Sequence, residues 1–291
     1  MAKTLFKGDF EVSLFSLSKY PIFDEKLLFS LGFADIFMPF RSYDRGIDSG
    51  KEDYYQTLEN FYNNFITLQS QLYNQRLEFL LSYSAGVTKL ENIFDVDGND
   101  FSNIQSPERS WIDHVIGTQI DLTDNHLDPS EGLRIGLLHS KTNYEHNDLS
   151  DYAVNDLNIT AYFPFFETHT LLFNAFQSRS NITANGLVDE TAVRNKFGLD
   201  CDLEKETAAC RKTETRRINY WLKRNQSSKA TALGGLNRMR AYSQGRFYAG
   251  NSSNYVLEYR HNFSEKQTPI NWIIMGGVRT CLLYTSPSPR D

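Results

Sequence analysis

Three groups of residues have types and spacings that could carry chemistry. The first is Cys201 and Cys210, in the polar segment CDLEKETAAC. An even, local pair is compatible with a loop disulfide in an oxidising compartment, and two unrelated thiols would leave the same trace. No second cysteine pair or histidine lies near, so the segment does not read as a zinc site. The second group is Asp95-Val96-Asp97-Gly98-Asn99-Asp100, which is rich in oxygen ligands. A calcium loop of the EF-hand type would need Gly at Asp100 and Glu at Ser106, so an acidic turn is the better reading. The third is Ala232–Phe263, where Arg240, Arg246 and Arg260 stand among Gly234, Gly235 and Gly245. Guanidinium groups form bidentate, charge-assisted pairs with carboxylates. The histidines are scattered without metal-ligand spacing, and no Gly-x-Ser-x-Gly elbow, phosphate loop or dinucleotide fingerprint occurs. No catalytic residue, metal or cofactor is therefore expected, and the chain reads as a non-enzyme. A Ser–His pair assembled from distant strands stays open as an alternative.

The elements that must hold these residues read as strands. The chain has 291 residues, a formal charge of −6, 14% aromatic residues and only 8 prolines. That balance favours β structure and suggests neither a nucleic-acid footprint nor an acidic tail, so no nucleic-acid partner is expected. No apolar run approaches the roughly 18 residues of a membrane helix. A mean hydropathy of −0.47 suits a soluble protein. It equally suits a membrane barrel, in which only alternate residues meet lipid. Period two recurs along the chain. Leu77, Phe79, Leu81, Tyr83, Ala85 and Val87 oppose Glu78, Ser82, Ser84, Gly86 and Thr88. Leu157, Ile159, Ala161 and Phe163 oppose Asn158, Thr160 and Tyr162, and Tyr255, Leu257, Tyr259 and Phe263 oppose Glu258, Arg260 and Asn262. Each such strand has one apolar and one polar face.

Strands are predicted at 9–18, 27–40, 61–74, 76–90, 113–123, 132–144, 152–165, 168–179, 253–263 and 270–280. Short connections fall near 20–26, 73–76, 124–131, 166–167 and 264–269, and long polar ones cover 41–60, 91–112, 144–151 and 180–252. A soluble sandwich would bury the apolar faces against a second sheet. Alternating short and long connections instead point to a membrane barrel, with short turns on one side and long loops on the other.

Two motifs carry a family resemblance. Within Ala232–Phe263, a Gly234-Gly235 pair is followed by Met239-Arg240-Ala241-Tyr242, by Gly245-Arg246-Phe247 with Gly250, and by Glu258-Tyr259-Arg260. Upstream, Asp121-Leu-Thr-Asp124-Asn125 precedes Pro129-Ser-Glu-Gly132, with good turn residues at Asn125, Pro129 and Gly132. Both, in this order, resemble the bacterial surface-antigen superfamily, which includes BamA, TamA and the two-partner secretion transporters. Ala241 departs from the glycine usual there. The resemblance spans roughly 9–280 and is sharp only at 121–132 and 232–260. It implies an all-β, antiparallel transmembrane β-barrel, present incompletely as about ten of sixteen strands, in the bacterial outer membrane. It implies a role in assembling, inserting or translocating proteins. The implied partners are outer-membrane lipid, unfolded or translocating polypeptides, and periplasmic domains outside this chain. A passive pore or a surface hydrolase on a similar barrel is the alternative.

The resemblance further implies that Arg240 anchors the sixth external loop inside the lumen. The acid that usually receives it, on the strand corresponding to Ile270–Val278, is missing: Ile274 and Met275 stand where it would be. Glu258, Asp121 and Glu78 are the polar-face alternatives, and a solvated loop arginine is the bland one. The ends are set apart. Met1–Gly8 has no apolar core or cleavage site, so the natural start is expected upstream. Residues 1–280 form the expected barrel domain, whereas Cys281–Asp291 (CLLYTSPSPRD) resembles a translated transposon-type sequencing adapter and is excluded from fold reasoning.

Overall fold

The computed structural model describes residues 11–22, 27–43, 54–94, 108–146, 148–166, 169–199, 201, 208–235, 238–239, 242–261 and 279–284. Ten strands form one antiparallel sheet in chain order: β1 (Glu11–Ile22), β2 (Leu27–Tyr43), β3 (Tyr54–Leu72), β4 (Leu77–Phe94), β5 (Arg109–Asp121), β6 (Gly132–Tyr144), β7 (Asp151–Pro164), β8 (His169–Ala184), β9 (Asn251–His261) and β10 (Arg279–Tyr284). The fold is an all-β up-and-down meander. Its sheet is open, with β1 and β10 at the edges of the strand order. Several strands are longer than the mode of about 5–6 residues in soluble proteins; β3 has 19 and β4 has 18.

The period-two pattern decides which face each side chain takes, and the register joins these faces across the sheet. Leu81 is paired with Leu68 on one side and with Ile116 on the other. Ser82 is paired with Thr67 and Val115. The polar face satisfies itself across strands. Thr67 and Ser82 hydroxyls meet at 2.8 Å, Gln69 and Gln71 donate to Glu78, and Thr142 donates to Asp113. The Asn174 amide donates to both Asn158 and Thr160. The apolar face, by contrast, stays open: Phe79 is 47% exposed, Leu81 54% and Ile116 58%.

The connections sort by length less cleanly than predicted: the six residues 145–150 stand at the long-loop end, whereas the ten residues 122–131 and the 17 between β9 and β10 stand at the other. Turns after β3, β5 and β7 lie at one end, with residues 73–76, 122–131 and 165–168. The connection between β8 and β9 spans 185–250 at the other end, which also carries those after β2, β4 and β6. Two helices stand in that long connection, α1 (Glu190–Phe197) and α2 (Ala208–Asn225), where the sequence reading placed only polar loop. The tenth strand also differs. It lies at Arg279–Tyr284 and pairs with Asn251–Val256, whereas 270–278 falls outside the described residues. Cys281–Tyr284, set apart as adapter-like, therefore sit in a ladder. Main-chain pairing is open to any short apolar segment beside a free strand edge, so it does not bear on their origin.

Candidate functional site

The 185–250 connection folds back onto the polar face. Thr231 N–H donates to Ser178 Oγ at 2.9 Å and Thr231 Oγ1 to Asp156 at 2.7 Å. Ser252 donates to the Thr231 carbonyl, and Ser228 to that of Ser180. Beneath this cover lie Phe176, Ser178, Ser252 and Asn254. The same connection reaches much further. The Arg109 guanidinium of β5 stands 5.8 Å from the Trp221 ring of α2, and that of Arg246 lies 4.9 Å from the ring of Tyr43, the last residue of β2. β2 and β8 are six ladders apart, which is about 29 Å in a flat sheet at ~4.8 Å per ladder. Both contacts are made by one short tip, from Thr231 on Ser178 through the Leu233–Phe247 bridge to Arg246 on Tyr43, so the sheet curls toward the loop. The polar face is thus the inner one and the apolar face the outer one.

The glycine–arginine motif forms the compact tip of this loop. Leu233 and Phe247 form a two-way bridge, Gly235 N–H donates to Tyr242 O, and Tyr242 N–H to Met239 O. Gly234, Gly235 and Gly245 have φ of 108°, 99° and 66°, in the left-handed region that glycine tolerates. At Gly234 a Cβ would come within 2.3 Å of the Ser243 carbonyl. Met239 also takes positive φ, 55°. Tyr242 packs edge-on against Phe247 at 4.9 Å, and Arg246 is buried over Tyr43 and Phe247. Gly250 closes the loop by accepting from Ser180. Arg240 and Ala241 lie outside the described residues. Of the acids considered for Arg240, all three are on the inner face and already engaged. Glu258 is 4.0 Å from Arg260, Glu78 receives the two glutamines, and Asp121 receives Arg134. The acidic turn 95–100 lies outside the described residues. Among the described residues no cluster of metal-ligating side chains occurs.

The helical part of the loop is a small folded unit. Leu149, Val193, Ile218 and Trp221 form its core, with Phe197 stacked 4.8 Å from Trp221. Asp189 caps α1 by accepting from Ala192 N–H, and Gly198 ends it with φ 58°. Cys201 and Cys210 are joined through sulfur, with Cα atoms 6.3 Å apart, tying the chain after α1 to α2. Asn225 is the polar lock. It is 0% exposed, and its amide donates to Asp148 O and Leu187 O while its oxygen accepts from Ser150 N–H. Ser150 Oγ in turn donates to Asn225 O. This stitches α2 to the connection between β6 and β7. Sequence reading missed α2. Cys210, Glu214, Ile218, Trp221 and Asn225 recur at helical spacing, but its many basic residues hide that stripe.

The turn motif comes together at the opposite end. The Asp121 carboxylate accepts from Thr123 and His126, and from Arg134 through both Nε and Nη2. Asp124 accepts from Ser130 and from Glu131 N–H, and Asn125 from Leu127 and Asp128 N–H. Pro129 is buried in the turn. Gly132 has φ 109°, and a Cβ there would come 2.3 Å from the Leu122 carbonyl. Asp121, Asp124 and Asn125 thus belong to one hydrogen-bonded unit, with buried Pro129 and the positive-φ Gly132 completing the turn.

Two outcomes follow. Partial burial pushes the Asp124 carboxyl up, but the Ser130 hydroxyl and the Glu131, Ser130 and Asn125 amides outweigh it and hold its pKa at about 2. A depressed carboxyl stabilises the turn above its unfolded pKa of about 3.9, and that support is lost as pH falls through 2. Titration of the Glu131 amide by NMR should therefore show a midpoint near 2; a midpoint near 4 would mean that these bonds do not hold the charge. Asn225→Leu should leave the Leu187 carbonyl and the Ser150 N–H without partners, while the Asp148 carbonyl keeps only the Leu187 N–H. That costs about 2–3 kcal/mol and should raise protease cleavage between 185 and 227, leaving the strand ladders unchanged by amide exchange.

No protein-family model and no curated protein matches the chain. Among solved structures, it is similar to the crystal structure of BamA from Haemophilus ducreyi lacking POTRA domains 1-3. The identity is 12% and the TM-score 0.48, over 88% of this chain and 46% of that one. The chain thus spans about half the length of that protein.

Proposed function

We propose that this chain is part of a bacterial outer-membrane β-barrel that assembles, inserts or translocates proteins. One observation carries the reading. The curled sheet turns an exposed apolar face outward and a self-satisfied polar face inward, onto which its longest loop is packed. On β4 the apolar positions run from Leu77 to Val87 before Lys89 and Glu91 begin a charged rim. The ten residue-to-residue steps at ~3.4 Å, tilted by ~40°, span about 26 Å, close to the apolar band of a membrane barrel. A soluble monomer rarely leaves so large an apolar surface in water.

The loop separates the assembly reading from a passive pore. An open conduit gains nothing from a folded plug that contacts β2, β5, β7 and β8, whereas a barrel that handles polypeptides needs a closed lumen at rest. The resemblance of the 121–132 and 232–260 motifs supports the same choice. In this mechanism, the unpaired edge of a weakly closed barrel seam offers main-chain donors and acceptors to an incoming strand. The Cys201–Cys210 link fits a loop exposed to an oxidising compartment.

The complete protein should partition into bilayers and show heat-modifiable gel mobility. Leu81→Arg, on the outer face, should destabilise it by about 2–4 kcal/mol, whereas Ser82→Arg, on the inner face, should cost far less. A folded soluble monomer, or equal effects of the two substitutions, would sink the membrane reading. Proteoliposomes should then speed the folding of a small client barrel. Ion conductance or ester hydrolysis without that acceleration would favour the pore or the hydrolase. Mass spectrometry of unreduced peptides should find Cys201 linked to Cys210, and free thiols in protein taken from the envelope would refute the link.

A further inference from the structure

The loop tip carries a second guanidinium two residues before Arg240. The Arg238 guanidinium carbon lies 3.7 Å from the centre of the Phe176 ring, close enough for face-on stacking. Phe176 is 1% exposed and sits on the inner face of β8. On the neighbouring strand, Asp156 is paired with Ser178, two residues from Phe176. One Asp156 oxygen accepts from Thr231. The other, Oδ1, is buried and accepts no hydrogen bond. A buried acceptor without a donor marks this stretch of wall as a place where a cation of the loop is favoured. The Arg238 guanidinium lies within electrostatic reach of this carboxylate: burial pulls its pKa down, and Asp156 acts in the opposite sense. At the far wall, Arg246 stacks on Tyr43. Between the two arginines the tip is braced by the Gly235–Tyr242 and Leu233–Phe247 bonds.

We propose that Arg238, stacked on Phe176 beside Asp156, anchors the loop to the β7–β8 wall in its own right, with Arg246 as the opposite tether on β2. The loop is then a strut across the lumen rather than a plug held at one point. This rests on the barrel reading above, and the test keeps the two apart.

The complete protein is inserted into liposomes, and only the heat-modifiable, membrane-inserted fraction is scored. The readout is the rate of protease cleavage between Ser228 and Gly250. Arg238→Gln and Asp156→Asn should each raise it about tenfold, and the pair together little more than either alone. Exchanging the charges, Arg238→Asp with Asp156→Arg, should recover much of the protection, which a merely space-filling role would not do. Arg238→Lys should fall between, since it keeps the charge and loses the flat stacking group. If these variants fail to insert, Phe176→Leu, which removes the ring face and keeps apolar bulk, should still speed cleavage several-fold. Wild-type cleavage in Arg238→Gln, additive effects of the two single changes, or an unaffected Phe176→Leu overturns the proposal. So does loosening by Arg240→Gln alone. A wild-type chain that does not insert overturns the barrel reading instead.

Discussion

An antiparallel ladder satisfies the backbone within the sheet and leaves two faces for the side chains to settle. In this chain the two faces are settled differently, and the rest of the structure depends on that difference. The inner face is polar and bonds across strands, through Thr67 with Ser82, Gln69 and Gln71 with Glu78, and Asn174 with Thr160. The outer face is apolar, and among the described residues Phe79, Leu81 and Ile116 stand open on it. A sheet with such faces is stable where the surroundings of the outer face are themselves apolar, and the proposed bilayer provides that. The same asymmetry also requires the inner face to be hydrated or covered.

The 185–250 connection supplies the cover, and it does so with two kinds of packing. Its helices form a small core of their own around Trp221 and are sewn to the β6–β7 connection by Asn225. Its glycine-rich tip is instead held by guanidinium groups on aromatic rings, Arg238 on Phe176 and Arg246 on Tyr43. The first arrangement is rigid because every polar group of Asn225 is satisfied in a dry setting.

The turn at the opposite end has a different design. Asp121, Asp124 and Asn125 each cap several N–H or side-chain donors, and Gly132 supplies the one backbone conformation that a Cβ would block. Its order comes from charge-assisted bonds within the turn itself. The β5–β6 hairpin is thereby closed by local chemistry, whereas the β8–β9 hairpin is closed by contacts with walls far away in sequence.

This division explains what the sequence alone could determine. The two-residue period is local, so the strand faces and most strand positions were legible from Leu77–Val87, Leu157–Phe163 and Tyr255–Leu257, whereas the length of each connection was not. The Asp121–Gly132 turn was legible for the same reason, since its donors and acceptors lie within a few residues of each other. Strand ends were less so: β3 begins at Tyr54 rather than near 61, because its extension is set by pairing with β2, not by its own pattern. The helices of the long loop were invisible because α2 is rich in basic residues, and its buried stripe gains meaning only when Leu149 and Tyr144 pack against it. Parity could place Glu258, Asp121 and Glu78 on one face, but not say that each is already engaged. That Phe176 and Asp156 lie beneath Arg238, and Tyr43 beneath Arg246, was decided by the curl of the sheet. Curl is a property of many ladders acting together, and it brings together residues that no spacing in the chain relates.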